Sequence, residues 1–119
     1  INAALGCAQL ENLDRYVADK RETAARYAEF FKGKEDITFF TEPADCKSNY
    51  WLNAVVLKDK AAQLDFLEYT NDHGVMTRPV WELMNRLPMF EHCETDGLEN
   101  TEWLADRVVN IPSSVRLDK

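Results

Sequence analysis

Residues 49-NYWLNAVVL-57 are rich in aromatic and β-branched side chains, which favour a β-strand. Such a strand would present Tyr50, Leu52, Ala54 and Val56 on one face, and Trp51, Asn53, Val55 and Leu57 on the other. Because both faces are largely apolar, the pattern indicates a strand at the centre of a sheet. We expect Trp51 and Trp103 to be core residues.

Further elements are predicted on both sides of this strand. Asp59 is a suitable cap for a helix that presents Ala61, Leu64 and Leu67 inward, and Pro79 restricts its own strand to an edge or an end. From the N-terminus, the predicted elements are a helix over 2–32, a strand over 36–40, the strand over 49–57, a helix over 60–72 and a strand over 75–80. An irregular or single-turn helix over 81–90, an acidic loop over 91–99 and a short helix over 101–109 follow.

The helix predicted over residues 2–32 has an apolar stripe that includes Leu10, Leu13, Val17, Ala24, Tyr27 and Phe31. At 1.5 Å per residue it would be about 46 Å long. A compact chain of this size is only about 35 Å across. The helix would therefore overhang its domain, and we expect it to connect this chain to another part of a longer protein.

Together these elements predict an α+β fold with a small three-stranded sheet, antiparallel or mixed, and helices on one face. We expect one domain over residues 33–119, preceded by the connecting helix over 1–32. The net charge of −7 without a basic stripe argues against nucleic-acid binding. No apolar run is long enough to cross a membrane. Three scattered cysteines fit a reducing cytoplasm, and no metal-ligand spacing is present.

The candidate binding residues are concentrated in 74-GVMTRPVWELMNRLPMF-90. Arg78 and Arg86 could converge on a carboxylate or diphosphate, because guanidinium groups bind such anions with two donors. Alternatively, both are surface arginines paired with acids such as Glu82 or Glu91, and spacing alone slightly favours this simpler interpretation.

Four other side chains have both a binding and a structural interpretation. Trp81 and Asn85, four residues apart, would share a helix face and form a stacking platform for a base or sugar, or Trp81 could be a core or interface residue. Asn49 and Tyr50 stand at a strand start, where turn formation and packing are the alternatives. No nucleophile motif, P-loop or dinucleotide fingerprint occurs, so the chain alone does not contain a complete active site.

Five segments together resemble the C-terminal part of the DegT/DnrJ/StrS aminotransferases, over nearly the whole chain. They are 1-INAALGCAQLENLD-14, 21-RETAARYAEFF-31, 48-SNYWLNAVVL-57, 74-GVMTRPVWELMNRLPMF-90 and 103-WLADRVVNIPSS-114. The first segment and the strand containing TRP are the more specific. WELMNRLPMF is similar to the branch that aminates C4 of nucleotide-linked 4-keto-6-deoxy sugars, whereas many other members have a histidine-containing segment here.

The resemblance implies an enzyme whose large domain binds pyridoxal phosphate and whose smaller C-terminal domain completes the substrate site. The lysine that holds the cofactor belongs to the large domain, so no catalytic or cofactor-binding residue is assigned here. Glutamate is the implied amino donor, the full-length enzyme is implied to be a homodimer, and this chain alone is expected to be inactive.

The resemblance also assigns roles to the candidate residues. Arg78 would hold a phosphate or the donor carboxylate, and Trp81 and Asn85 the sugar or base. Arg86, Asn49 and Tyr50 are weaker candidates. Two other functions remain open: a sugar-nucleotide binding module without chemistry, and a structural dimerisation domain that pairs through the first helix.

Overall fold

The computed structural model describes residues 1–116, which form α-helices and one four-stranded antiparallel sheet. In chain order the elements are α1 (Asn2–Leu10), α2 (Leu13–Phe31), β1 (Ile37–Phe39), β2 (Asn53–Leu57), α3 (Lys60–Asp72), β3 (Arg78–Pro79), a single 3₁₀ turn (Met84–Arg86), α4 (Glu99–Ala105) and β4 (Val108–Ile111). The α+β class is confirmed, with one strand more than the three predicted.

The sheet has the strand order β1-β2-β4-β3. The predicted central strand is confirmed, because β2 pairs with β1 on one side and β4 on the other. The strand that contains Pro79 lies at an edge, where a residue without an N–H does not interrupt a ladder. All three pairings are antiparallel.

The helices α2 and α3 cover one face of this sheet, as predicted. The buried core on that face consists of Ala24, Phe39, Val55, Leu57, Val109 and Ile111. Alternation along β2 and β4 turns the intervening residues, which are Ala54, Val56, Val108 and Asn110, toward the opposite side. We call that side the second face of the sheet.

The prediction of a helix over 101–109 is wrong in its second half. The helix α4 ends at Ala105, and Val108–Ile111 forms strand β4 instead. Alternating burial explains the difference, because Val109 and Ile111 enter the core while Val108 and Asn110 stay half-buried. Pairing with β2 thus outweighs local helix propensity.

The predicted single helix over residues 2–32 is interrupted at residues 11–12. The side-chain amide of Asn12 donates to the carbonyl of Ala8 at 2.9 Å, a local bond that competes with the helix ladder. No residue of α1 is buried, so no packing within residues 1–116 counteracts the break. The radius of gyration, 17.2 Å, exceeds the value of about 13–14 Å typical of a compact chain of this length.

The inward face of α3 also differs from the prediction. Asp59 caps the helix, accepting from the N–H of Ala62 at 2.8 Å, as expected. Leu67 packs on the core, but Ala61 and Leu64 are exposed and Gln63 is buried instead. The amide of Gln63 donates to the carbonyls of Ala105 and Val108, which turns that face of α3 toward the end of α4 and the start of β4.

Trp51 and Trp103 are exposed, so the prediction that they are core residues is wrong. Trp51 precedes the strand, which begins only at Asn53, so it does not follow the alternation of β2. The ring of Trp103 is instead covered by the guanidinium of Arg107, at 4.6 Å from its centroid.

Candidate functional site

Arg78 lies in the edge strand β3 and faces away from the core. In the ladder between β3 and β4, Arg78 is opposite Asn110, and Pro79 is opposite the buried Val109. Because neighbours along a strand point to opposite faces, the side chain of Arg78 belongs to the second face. Its pairing with β4 at the edge of the sheet therefore places the guanidinium of Arg78 on the second face.

The guanidinium of Arg78 is exposed and has few partners. Its Nη2 contacts the sulfur of Met76 at 3.5 Å, and within residues 1–116 it has no carboxylate at ion-pair distance. Arginine stays charged at any physiological pH. An unpaired guanidinium in a chain of net charge −7 is a suitable group for an anionic ligand.

Arg86, by contrast, has carboxylates nearby. It lies 3.6 Å from Glu82 and 3.9 Å from Glu102. The pairing with Glu82 agrees with the simpler interpretation of the sequence, in which Arg86 is a surface arginine paired with a nearby acid. Both pairs are largely exposed and long, so they contribute little to stability. The two arginines therefore differ in their surroundings, although they are eight residues apart on one segment.

Trp81 is 92% exposed, which argues against a core role within residues 1–116. Asn85 is half-buried in the 3₁₀ turn Met84–Arg86. The helical spacing used to place both on one face does not apply, because no helix extends back to Trp81. Their joint assignment to a sugar or base stays a prediction, now without that spacing argument. A tryptophan this exposed is a candidate for stacking or for an interface.

Asn49 and Tyr50 have structural partners before β2. The Oδ1 of Asn49 accepts from the N–H of Trp51 at 2.9 Å, as in an Asx turn. Tyr50 has a φ of 47° and stacks on the core residue Phe39 with centroids 6.4 Å apart. They precede β2, which is separated from the strand of Arg78 by β4. A role for either in substrate binding stays a prediction.

A cluster of polar contacts around Arg21 in α2 was not predicted from the sequence. Its guanidinium donates to both carboxylate oxygens of Glu42, at 2.6 and 3.0 Å, and to the carbonyl of Ser48. The guanidinium of Arg21 and then the N–H of Ser48 lower the pKa of Glu42 to about 2. The ring of Tyr50 lies 5.6 Å from the same guanidinium. This cluster joins the loop between β1 and β2 to α2.

The same loop borders an open cavity of about 300 Å³. Its lining residues are Phe40, Glu42, Pro43, Cys46, Lys47, Ser48, Tyr50, Leu52 and Ala54. The N–H of Phe40 donates to the carbonyl of Ala54 at 2.9 Å, so these two residues continue across the second face in line with Asn110 and Arg78. The cavity and Arg78 are thus at the two ends of one row.

The cavity lining does not fit pyridoxal phosphate, which needs a lysine amine to form an imine with its aldehyde and an Asp or Arg at its ring nitrogen. Lys47 is the lysine that borders the cavity, and it is exposed. The nearby carboxylate of Glu42 is already occupied by Arg21 and Ser48.

The four-stranded antiparallel sheet, the helices on one of its faces and α1 together match part of a solved sugar aminotransferase structure. CalS13 of Micromonospora echinospora, a sugar aminotransferase, superposes with a TM-score of 0.80 at 25% identity, covering 98% of this chain and 30% of CalS13. The aminotransferase TlmJ of Streptoalloteichus hindustanus superposes with a TM-score of 0.87 at 23% identity, covering 98% of this chain and 31% of TlmJ.

The chain belongs to the DegT/DnrJ/EryC1/StrS aminotransferase family, whose sequence model matches residues 1–119. It is 30% identical over 117 residues to EpsN of Bacillus subtilis, to which pyridoxal phosphate-dependent aminotransferase activity is ascribed; the match covers 95% of this chain and 30% of EpsN. It is 26% identical over 114 residues to the GDP-perosamine synthase of Vibrio cholerae, and this match covers 93% of this chain and 31% of the synthase. The chain thus spans about a third or less of these relatives.

Within residues 1–116, no helix has both the length and the apolar character that a membrane crossing requires.

Proposed function

We propose that this chain is the C-terminal, substrate-completing domain of a pyridoxal phosphate-dependent aminotransferase that acts on a nucleotide-linked 4-keto-6-deoxy sugar. The amino group comes from glutamate and is transferred to C4, in the cytoplasm, for the synthesis of a surface glycan. The large domain that binds the cofactor belongs to the part of its relatives that this chain does not span. The domain boundary lies near residue 32, after α2.

The family match and the unpaired guanidinium of Arg78 support this proposal most directly. Arg78 binds a phosphate of the sugar nucleotide or the carboxylate of the donor, because it is the arginine of this segment without a carboxylate partner in residues 1–116. Trp81 and Asn85 contact the sugar or base, with Trp81 offering its exposed ring for stacking. A lesser part in substrate binding is assigned to Arg86, Asn49 and Tyr50.

The full-length protein is proposed to be a homodimer. Large apolar residues lie exposed near the N-terminus: Ile1 before α1, Leu5 and Leu10 in α1, and Leu13 at the start of α2. Several exposed large apolar side chains within a short stretch of chain are typical of an interaction surface. The same observation favours the second candidate function, a structural dimerisation domain, in which Arg78 would have no ligand.

A reaction assay with the full-length protein tests the proposal. The protein is incubated with pyridoxal phosphate, a nucleotide-linked 4-keto-6-deoxy sugar and glutamate, and the product is identified by mass spectrometry and NMR. We expect a 4-amino sugar nucleotide and stoichiometric 2-oxoglutarate. Full-length protein that binds the sugar nucleotide but forms no amino sugar with glutamate or any other amino acid would instead support the binding module.

A further inference from the structure

Asn110 is the polar residue of β4, and it lies directly beside Arg78. The ladder places it opposite Arg78 on one side and opposite Ala54 on the other. Its neighbours along the strand, Val109 and Ile111, are buried in the core, so its own side chain belongs to the second face. Residues directly opposite each other in an antiparallel pair have Cβ atoms about 4.5–5.5 Å apart. The amide and the guanidinium can therefore reach the same ligand group.

The amide of Asn110 retains most of its hydrogen-bonding capacity. Its Nδ2 donates to the carbonyl of Pro79 at a long 3.4 Å, and its Oδ1 has no hydrogen-bond partner in residues 1–116. The amides of Asn12 and Asn71 donate short bonds, to Ala8 at 2.9 Å and to Leu67 at 2.7 Å, whereas the buried amide of Asn53 has no hydrogen-bond partner within residues 1–116. An asparagine amide offers two donor hydrogens and one acceptor oxygen. Asn110 can therefore still donate to and accept from a ligand on the second face.

A purely structural role would not require an amide at this position. The other half-buried residues of the second face near Asn110 are Ala54, Val56 and Val108, which are all apolar. β-Branched residues are favoured in strands, whereas asparagine is disfavoured. A half-buried asparagine in a strand is thus locally unfavourable unless its amide has another use.

We infer that Asn110 is a specificity-determining residue that acts together with Arg78 on one anionic oxygen group. Arg78 supplies the charge, and the Nδ2 of Asn110 donates a hydrogen bond to a neighbouring oxygen of the same group. The group is a carboxylate of the amino donor or a phosphate of the sugar nucleotide, which have this oxygen chemistry in common. The inference rests on the proposed function, because it assumes that Arg78 binds substrate.

Three variants of the full-length enzyme test this inference. Asn110→Val and Asn110→Thr have the same shape and both suit a strand, but only the threonine keeps a hydroxyl that can donate. Asn110→Asp places a negative charge opposite Arg78. The Michaelis constants for the amino donor and for the sugar nucleotide are measured separately, with circular dichroism as a check of folding.

For one of the two substrates, we expect Asn110→Val to raise KM roughly 3-fold to 10-fold, as for a lost hydrogen bond. Asn110→Thr should restore part of the affinity, and Asn110→Asp should raise KM for the same substrate most. A rise for the donor identifies the carboxylate, and a rise for the sugar nucleotide identifies the phosphate. In each case kcat should change less than KM.

The controls separate this inference from the proposed function. If Arg78→Ala raises a KM while Asn110→Val and Asn110→Asp leave both constants unchanged, the inference about Asn110 is wrong and the function stands. If Asn110→Val and Asn110→Thr lower activity equally without a change in KM, the role is structural and the inference is wrong. If the folded Arg78→Ala variant has unchanged constants, the substrate role of the whole segment is wrong.

Discussion

The guanidinium of Arg21 and the carboxylate of Glu42 form a two-pronged ion pair, at 2.6 and 3.0 Å, that joins α2 to the loop between β1 and β2. The carboxylate also accepts from the N–H of Ser48 in the same loop. The loop borders the cavity on the second face. The ion pair therefore fixes one wall of that cavity against a helix that packs on the core.

The first prediction concerns the pH dependence of stability. The pKa of Glu42 is about 2 in the folded protein, against an ordinary 4.5. A lowered pKa in the folded state means that the stabilisation is complete above pH 4.5 and is lost as the pH falls toward 2. The free energy of unfolding of the native protein should exceed that of Glu42→Gln at neutral pH, and this difference should shrink below pH 4.5.

The control for this experiment is Glu29→Gln. Glu29 is exposed on α2 and lies 3.6 Å from Lys32, so its loss should affect stability little at neutral pH. Urea unfolding at a series of pH values measures both variants. A difference between the native protein and Glu42→Gln that stays constant from neutral pH to pH 2 would contradict the assigned role.

The second prediction concerns Gln63, which is fully buried in α3. Its Nε2 donates to the carbonyls of Ala105 and Val108 at 2.9 and 2.8 Å. Gln63→Leu would leave both carbonyls without this donor, and we expect a loss of about 1–3 kcal/mol in the free energy of unfolding. The matched control, Gln9→Leu on the exposed α1, should change it by less than about 0.5 kcal/mol. If both variants change the free energy of unfolding by less than about 0.5 kcal/mol, the buried hydrogen bonds of Gln63 do not contribute to stability.

The third prediction uses the fluorescence of Trp81 in the full-length protein. A base or sugar that stacks on this exposed ring should quench its emission, and the change should disappear in Trp81→Phe. In Trp103→Phe the change should persist, because Trp103 lies in α4 with Arg107 over its ring. Titration with sugar nucleotides that carry different bases measures both variants. A quenching signal of full size in Trp81→Phe would remove Trp81 from the proposed site.

The fold was predictable where local chemistry and burial agree. The Asp59 cap, the helix after it, the central strand and the edge position of Pro79 all follow from local signals. Strand β4 was missed because its alternation of buried and half-buried residues extends over only four positions, Val108–Ile111. The strand conformation there becomes favourable only through pairing with β2. The break at Asn12 was missed because the apolar stripe continues past it, whereas nothing in residues 1–116 covers α1.

The candidate site was predictable only in part, because it depends on which residues the sheet brings together. The segment around Arg78 and Trp81 was identifiable from its composition. The partner of Arg78 across the ladder, Asn110, is 32 positions away in sequence and requires the register of β4. The pairing of Arg21 with Glu42 likewise requires the position of α2 against the loop.

Arg78 is the residue on which the proposed function depends most, and steady-state kinetics of Arg78→Ala in the full-length aminotransferase tests its role most directly. The control is Arg26→Ala, which removes an exposed arginine paired with Glu22 at 2.7 Å on α2. We expect kcat/KM to fall about 10-fold to 100-fold for Arg78→Ala, as for a lost charge-assisted hydrogen bond, and to stay unchanged for Arg26→Ala. A folded Arg78→Ala enzyme with the kcat/KM of the native protein for both substrates would contradict the proposed role of Arg78 in substrate binding.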